Sequence, residues 1–281
     1  MSDQQQLDAV VVGAGFGGIY QLYSLTKLGL STQLIEKADD VGGTWYWNRY
    51  PGAMSDTESY IYRHSWDKED LLSYPWPNRY VSQPEILAYL RHVVTKHELR
   101  QHMRLSTEVV SAIWDDQILR WRIELSTGQV MKPRYFISLK ECWDPRGPTS
   151  LFGVAVPQFP NMMMVLGPQG PFTNNVPALE AHVELNTALI KRAEALRTQC
   201  AKTIIEASPE AEKWWIDRCE ASAEGSLFKD TASWIFGNNV SGKTIALRFY
   251  FGGMRDYLSE IKDAIGDGFR GFPELSQPVA M

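Results

Sequence analysis

The chain has 281 residues, 44% of them hydrophobic and 22% charged, so it can bury a sizeable core as one large domain or two small ones. Its formal net charge of −5, which no basic run offsets, argues against a nucleic-acid or anionic-membrane binder and favours small organic molecules as partners. Three widely spaced cysteines form neither a disulfide framework nor a metal or redox pair, and no apolar run is long enough for a membrane span. These features fit a reducing compartment, so we expect a cytoplasmic protein.

Residues 7–36 carry the pattern of a complete βαβ unit. An apolar run leads into glycines at G-x-G-x-x-G spacing, and a helical pattern and a second apolar run ending at Glu36 follow. Gly13 would allow the tight turn, Gly15 the close approach of a pyrophosphate to backbone N–H groups, and Gly18 the close packing of helix on strand. The pyrophosphate would rest on the helix N-terminus, while Glu36 accepts a hydrogen bond from a ribose hydroxyl. The unit predicts dinucleotide binding.

The next stretch, KADDVGGTWYWNRYPGAMSDTESYIY, is too rich in Gly, Pro and aromatic residues for regular structure. A long loop of this kind in a compact domain is usually functional. Asp56 lies in its middle and is either a solvated cap or turn residue or an acidic residue of a site. The ten tryptophans and twelve tyrosines of the chain fit either an aromatic core or a large apolar ligand pocket.

Two regular regions follow this loop. Residues 82–84 (Ser-Gln-Pro) open an amphipathic helix at 85–94, with the proline suited to the first turn. Residues 107–137 alternate in three runs separated by turns, which predicts a three-stranded antiparallel meander. Three histidines spaced five residues apart fall on different helix faces, and we interpret them as surface residues and not as metal ligands: His92, His97 and His102.

The second half of the chain adds a buried strand after Asn161, a Gly/Pro-rich loop and a helix that starts near Pro177. This succession is a second place where an electron-rich group could rest on backbone N–H groups. Residues 208–209 (Ser-Pro) open another helix, whose Trp214 and Trp215 we expect in the core. Although residues 237–244 end in Gly-Lys-Thr, no apolar strand leads into them, so they are not a phosphate loop.

At these residues the chain resembles the Baeyer–Villiger flavin monooxygenases of the cyclohexanone and phenylacetone monooxygenase type. The matching stretches cover nearly the whole chain: GAGFGG, GGTWYWNRYPGAMSDTESYIY, RYVSQPEILAYL, PRYFI, LKECWDPRGPTSLFGVAVPQFPNMMMVLGPQGP and SWIFGNNVSGK. The resemblance implies an α/β fold, a Rossmann-like FAD-binding domain with a parallel sheet and the three-stranded antiparallel meander at its edge. It also implies that FAD is the dinucleotide, that NADPH is the hydride donor, and that O₂ reacts through a C4a-peroxyflavin to insert oxygen into a ketone substrate.

The resemblance further implies roles for individual residues. The FAD diphosphate would lie on Gly13, Gly15 and Gly18, and the adenosine ribose on Glu36. Nine more residues would bind or line the cofactor, the last of them in the Gly167 to Pro171 loop beside the isoalloxazine: Phe16, Lys37, Gly43, Thr44, Trp45, Trp47, Asp56, Tyr62 and Gln169. Asp56 is also the candidate catalytic residue, and Trp234 is the candidate tryptophan on the substrate or cofactor side.

The chain departs from the family after Ser138, which is followed at once by Leu139. In the family, a nicotinamide-binding domain with a second G-x-G-x-x-G and a helical domain are inserted here. Neither these domains nor the active-site arginine region of the family occurs in the sequence. We therefore predict one FAD-binding domain built from segments 1–138 and 139–281, with no NADPH site of its own. Engineering, a gene-model error and natural loss each account for such a chain.

Two functions fit these observations. The first is a flavin-dependent monooxygenase of Baeyer–Villiger ancestry that a donor other than a built-in nicotinamide site reduces, for example a separate reductase. The second is an FAD-binding module without oxygenase turnover, such as a scaffold, an isomerase or cyclase, or a minimised FAD domain. Loss of the inserted domains would expose an aromatic surface, so self-association is a further expectation. Neither function involves nucleic acid or a membrane.

Overall fold

The computed structural model describes residues 7–138, 147–200, 203–226 and 247–276. The chain divides into two compact units. Unit 1 comprises the described residues up to 138 together with 174–183, and unit 2 comprises the described residues from 147 to 173 and from 184 onward. The assignment of segments 1–138 and 139–281 to one FAD-binding domain stays a prediction.

Unit 1 holds most of the regular structure. Its strands are β1 (Ala9–Val12), β2 (Thr32–Ile35), β3 (Met103–Arg104), β4 (Val109–Asp115), β5 (Arg120–Leu125), β6 (Val130–Met131) and β7 (Tyr135–Ser138). Its helices are α1 (Phe16–Lys27), α2 (Thr44–Trp47), α3 (Lys68–Ser73) and α4 (Gln83–Lys96), with a 3₁₀ turn at Leu99–His102. The helix α5 (Asn175–Arg197) begins in unit 1, at the position expected for the helix near Pro177.

The parallel sheet of unit 1 has the strand order β3-β2-β1-β7. Ala9 of β1 lies opposite Thr32 of β2 on one side and Tyr135 of β7 on the other. All four residues of β7 and three of the four residues of β1 are buried, which is usual for central strands of a parallel sheet. The predicted β1-α1-β2 unit is confirmed, because α1 buries its apolar residues at helical spacing, among them Ile19 and Leu22.

The antiparallel sheet of unit 1 has the order β4-β5-β6, so the predicted three-stranded meander is confirmed. Its last run, however, ends earlier than the expected Ile137. Only Val130–Met131 pairs with β5, and Tyr135–Ser138 pairs in parallel with β1. Pro133 lies between the two pieces and has no N–H group to continue a ladder, so one alternating run is divided between two sheets.

The aromatic loop after β2 contains more regular structure than expected, since α2 and α3 lie within and just after it. The helix α4 begins as predicted. Ser82 and Glu85 form a capping box in which the Glu85 carboxylate accepts from the Ser82 backbone N–H at 2.6 Å. This cap fixes where the loop ends.

An ionic cluster fastens α3 to α4. Asp67 caps α3, and its carboxylate lies 2.8 Å from Nζ of Lys96 and 2.8 Å from Nε2 of His97. Although burial raises it, the pKa of Asp67 falls to about 2, because Lys96, the Asp70 backbone N–H and His97 all favour the carboxylate. The interpretation of His97 as a surface residue is wrong, since its side chain is only 16% exposed. The side chain of His92 is 41% exposed, which agrees with the same interpretation for that residue.

Unit 2 contains β8 (Met162–Met164), β9 (Gly170–Pro171), α6 (Pro209–Ser222), β10 (Phe249–Tyr250), α7 (Gly253–Gly266) and a 3₁₀ turn at Pro273–Ser276. The strands β9 and β10 pair in parallel. Trp215 of α6 is fully buried as predicted, stacks on Tyr250 at 4.9 Å between ring centroids, and donates from Nε1 to the carbonyl of Gln169 at 3.1 Å. Trp214 is only half-buried, with the Arg270 guanidinium 4.8 Å above its ring.

Within the described ranges, no helix is both long enough and apolar enough to cross a membrane.

Candidate dinucleotide-binding site

The turn after β1 needs glycine at two of its predicted positions. Gly13 has φ of +95°, which side chains disfavour, and its N–H donates to the carbonyl of Ile35 at 2.8 Å. A Cβ atom on Gly18 would lie 1.8 Å from the Gly13 carbonyl oxygen. The fold itself therefore requires Gly13 and Gly18, because helix and turn touch backbone to backbone there.

Gly15 is different. It is the N-cap of α1 with φ of −86°, an extended conformation that any residue adopts. A Cβ atom there would meet only the Gly43 Cα at 3.5 Å and the Gly43 N at 4.0 Å, which are ordinary contact distances. Neither strain nor crowding within the protein explains glycine at this position. A ligand that approaches the backbone does explain it.

The N-terminus of α1 has the donor groups that such a ligand needs. Its N-cap residue, Gly15, has no side chain that could cap the helix, and no acidic residue lies in the first turn. The first N–H groups of a helix have no partner within the helix, and the helix dipole makes this end favourable for an anion. A diphosphate fits this donor set.

Glu36, directly after β2, is 6% exposed. One carboxylate oxygen accepts from the Ala14 N–H at 2.6 Å and the other from the Ala38 N–H at 2.8 Å. These bonds fix the carboxylate beside the glycine turn and use about two of its four acceptor positions, so ribose hydroxyl donors fit the remainder. The predicted contact of Lys37 with the cofactor gains no support, because its exposed ammonium pairs with Glu108 at 3.1 Å.

A second glycine turn closes on the first. Gly42 has φ of +140° and donates its N–H to the carbonyl of Ala14 at 2.8 Å, while Gly43 has φ of +52°. A Cβ atom on Gly43 would lie 2.8 Å from the Gly15 Cα. The resemblance pointed to Gly43, whereas Gly42 was missed; the Gly-Gly pair itself is a turn signal that could have indicated it.

Aromatic side chains support the first turn of α1. Phe16 is buried, and the ring of Tyr62 packs edge-on against it at 5.2 Å between centroids. The Trp45 indole N–H donates to the Tyr62 hydroxyl at 3.1 Å. Burial raises the pKa of Tyr62, the bond from Trp45 lowers it, and the charge of Asp56 raises it further. The structure thus brings Phe16, Trp45 and Tyr62 together.

Other predicted site residues lie on the surface of unit 1. Thr44 and Asp56 are exposed, and the Trp47 side chain is 59% exposed. Asp56 accepts a hydrogen bond from the Thr57 hydroxyl at 3.3 Å, which fits a turn residue as well as a site residue. Their roles toward a cofactor stay predictions.

Gln169 lies in unit 2 and is 2% exposed. Its φ is +64°, its side-chain oxygen accepts from the Ser150 N–H at 3.1 Å, and its own N–H donates to the carbonyl of Arg248 at 2.6 Å. The side chain is therefore engaged inside unit 2. Trp234, the predicted substrate-side residue, lies outside the described residues, as do Leu139 and residues 237–244.

Sequence reasoning missed a buried histidine behind the turn. His64 is 0% exposed, and its ring lies 5.0 Å from the ring of Phe16. Its Nδ1 is 3.6 Å from the Glu180 carboxylate, whose oxygens accept from the backbone N–H and the hydroxyl of Ser65, both at 2.6 Å. Burial lowers the pKa of His64, and Glu180 opposes this only in part. Among the described residues, no group of histidine, cysteine and acidic side chains could hold a metal ion.

Together, the βαβ unit, the helix N-terminus at Gly15 and the fixed carboxylate of Glu36 define a Rossmann-like dinucleotide-binding domain. Residues 11–74 match the family model described as an NAD(P)-binding Rossmann-like domain.

Comparison with curated proteins identifies the type of this domain. The chain is 47% identical over 138 residues to a phenazine N-monooxygenase of Lysobacter antibioticus, a match that covers 49% of this chain and 26% of the relative. It is 39% identical over 163 residues to a cyclohexanone 1,2-monooxygenase of an Acinetobacter species, covering 58% and 28%. In the matched part, the chain is a homologue of the flavin-dependent monooxygenases of Baeyer–Villiger type. It spans about a quarter of the length of these curated relatives.

Solved structures agree on the fold. A closed crystal structure of cyclohexanone monooxygenase superposes with a TM-score of 0.87 at 23% identity, covering 95% of this chain and 98% of that chain. An oxidised steroid monooxygenase bound to NADP gives 0.84 at 18% identity, covering 95% and 99%. At these identities the likeness concerns the fold alone, and it confirms the predicted α/β class.

Proposed function

We propose that this chain binds FAD and is a flavin-dependent oxidoreductase of the Baeyer–Villiger monooxygenase type, with a ketone and O₂ as substrates. Its insertion of oxygen is impaired, because the sequence holds no nicotinamide-binding insertion. The observation that carries the proposal is Gly15. Neither its φ nor the atoms around its Cβ position require glycine there, so a reason outside the protein is needed. Such a glycine beside an uncapped helix N-terminus is explained by a bound diphosphate.

The residues of unit 1 divide the task of holding the cofactor. The first turn of α1 would bind the diphosphate through backbone N–H groups, and the fixed carboxylate of Glu36 would orient the adenosine ribose. Bound FAD would supply the electron transfer and the reaction with O₂. Phe16 and Tyr62 exclude water from behind the turn. Asp56 remains the candidate catalytic carboxylate, with its charge felt by Tyr62.

Gly15→Ala separates binding from folding. The apo protein is expected to unfold at nearly the wild-type denaturant midpoint, because the new Cβ makes only contacts of 3.5 Å or more. The affinity for FAD should fall at least about tenfold, since that Cβ occupies the space through which a diphosphate reaches the backbone. The ratio of flavin to protein absorbance after purification and a fluorescence titration with FAD measure the effect.

Gly128→Ala is the matched control for this variant. Gly128 lies in the turn before β6, has φ of +81°, and has open space around its Cβ position. This substitution should cost some stability and leave the FAD affinity unchanged. If Gly15→Ala and wild type held FAD equally well, the diphosphate would not lie on this turn.

The fate of oxygen separates the two candidate functions. Protein loaded with FAD and reduced by light is expected to transfer its two electrons and two protons mainly to O₂, giving hydrogen peroxide with little lactone. The reason is that the chain lacks the inserted domains that would exclude water from the reduced cofactor. Peroxide and lactone are assayed together after reduction with a cyclic ketone present.

Each product pattern has its own meaning. Lactone approaching one equivalent per reduced flavin would show full monooxygenase activity and contradict the impairment. FAD that reoxidises no faster than free reduced flavin, with no lactone, would favour the FAD-binding module without turnover.

A further inference from the structure

A cavity of about 310 Å³ opens on unit 1 where α4 meets the loop that follows β2. Its lining comes from that loop, from α4 and from the 3₁₀ turn after α4: Asp40, Arg91, Val94, Thr95 and Arg100. The volume lies at the lower end of the range for small-molecule sites, so the cavity has room for a compact organic ion. None of the five lining residues has a role in the proposed binding of FAD.

Two cations and one anion line this cavity. The Asp40 carboxylate accepts from Nε of Arg91 at 2.8 Å, from Nη1 of Arg100 at 2.5 Å and from the Val41 N–H at 2.8 Å. Burial raises the pKa of Asp40, but these hydrogen bonds together outweigh it and hold the pKa below its ordinary value. Asp40 is therefore ionised at neutral pH and both guanidiniums are charged, so one positive charge is left over at the cavity wall.

Both guanidiniums keep donors that a ligand can reach. Each arginine gives one hydrogen bond to Asp40, and neither has another partner among the described residues. The side chains of Arg91 and Arg100 are 53% and 54% exposed, so their remaining N–H groups are in contact with solvent. Because Asp40 holds one nitrogen of each, both side chains have lost part of their freedom before a ligand arrives, which reduces the entropic cost of binding.

The charge left over is not cancelled by the neighbouring acid. The carboxylate of Asp39 accepts from the Tyr46 hydroxyl at 2.6 Å and is not part of the cavity lining. An ordinary surface pair looks different, since Arg79 has the Glu58 carboxylate to itself and leaves no surplus charge. Two guanidiniums that share one carboxylate at the wall of a cavity instead attract a second anion.

We propose that Arg91 and Arg100 form an oxyanion-binding site in unit 1, which takes the phosphate or carboxylate group of a small molecule. A guanidinium offers a planar fork of donors that fits two oxygens of either group. The bound oxyanion would contact both arginines on the side away from Asp40, so that positive and negative charges alternate. The site uses no residue assigned to the dinucleotide and does not depend on FAD binding.

The test is calorimetric titration of the full chain with phenyl phosphate and with benzoate. Saturating FAD is present, so that the helix N-terminus at Gly15 does not take up the probe. Saturable binding of at least one probe, with a Kd of about 1 mM, is expected for charge-assisted contacts at an exposed site. Benzyl alcohol, which has the ring without the charge, should not bind. Raising NaCl from about 20 mM to about 200 mM should weaken the binding severalfold, because salt screens exposed charges.

Variants of the two arginines assign the binding to this cavity. Arg91→Met and Arg100→Met should each weaken it at least about fivefold, and the double variant should abolish it. Arg91→Lys should show a smaller loss, because the charge remains and the fork is lost. Arg79→Met is the matched control, since it removes the same charge from an exposed side chain that pairs with Glu58, and it should leave the affinity unchanged. All of these variants should keep the wild-type FAD content.

Each outcome has a defined meaning. Binding of phenyl phosphate alone supports a phosphate ligand, and binding of benzoate alone supports a carboxylate ligand. No saturable binding of either probe, full affinity in the double variant, or an equal loss in Arg79→Met overturns the proposal. Phenylglyoxal modification of the wild-type protein, followed by peptide mass spectrometry, gives a result without a variant. The bound probe should slow the modification of Arg91 and Arg100 and not that of Arg79, and unchanged rates at all three would also contradict the site.

Discussion

Gly18→Ala is expected to destabilise unit 1 by about 3 kcal/mol or more and to abolish FAD binding. The new Cβ would lie 1.8 Å from the Gly13 carbonyl oxygen and 3.0 Å from its carbon, and both are backbone atoms that cannot rotate away. Gly13 is in turn tied to β2 by its bond to Ile35. The clash therefore forces α1 away from the turn that would hold the diphosphate. Chemical denaturation and an FAD titration measure the two losses.

Two comparisons give this result its meaning. Gly29 follows α1, has φ of +80°, and has open space around its Cβ position. Gly29→Ala should therefore lower the free energy of unfolding by about 1 kcal/mol and leave FAD binding intact. Gly15→Ala should show the opposite combination, with stability kept and binding lost. A Gly18→Ala protein as stable as wild type would mean that helix and turn do not pack as closely as described.

The parts of the fold that the sequence predicted are those with local signals. The β1-α1-β2 unit follows from a change of apolar period across a glycine turn, and α4 follows from a capping sequence at Ser82. The end of the meander was misplaced because Tyr135–Ser138 is a short apolar run that either sheet could accommodate. Its partner, β1, lies more than a hundred residues earlier, and no local pattern specifies such a pairing.

The candidate site shows the same division. Gly13, Gly18 and Glu36 were predicted because the dinucleotide fingerprint fixes their spacing. His64 and Glu180 were missed because their contact joins positions far apart in sequence, and a lone histidine in an aromatic loop reads as a surface residue. Burial, which only tertiary structure decides, made His64 notable.

The second large expected effect is a loss of folding stability at low pH. His182 in α5 is 1% exposed, and burial lowers its pKa from 6.5 to about 3. Because this folded-state pKa lies below the unfolded one, the unfolded chain binds more protons between pH 6.5 and pH 3. The contribution to the free energy of unfolding is complete above pH 6.5 and is lost as the pH falls toward 3. One such histidine lowers the free energy of unfolding by about 1.4 kcal/mol between pH 7.5 and pH 5.5, and by about 2.7 kcal/mol between pH 7.5 and pH 4.5. His64, whose pKa burial also lowers, adds a loss of the same sign.

His182→Leu removes the titrating group and keeps an apolar side chain in the core. Its free energy of unfolding, from urea titrations at pH 7.5 and pH 5.5, should fall with acid by about 1.4 kcal/mol less than that of wild type. The absolute stability at pH 7.5 is not the test, since the substitution also changes packing. His102→Leu, at a half-exposed position in the 3₁₀ turn after α4, should keep the wild-type acid dependence. If His182→Leu lost as much stability between the two pH values as wild type does, the acid sensitivity would arise from groups other than this buried imidazole.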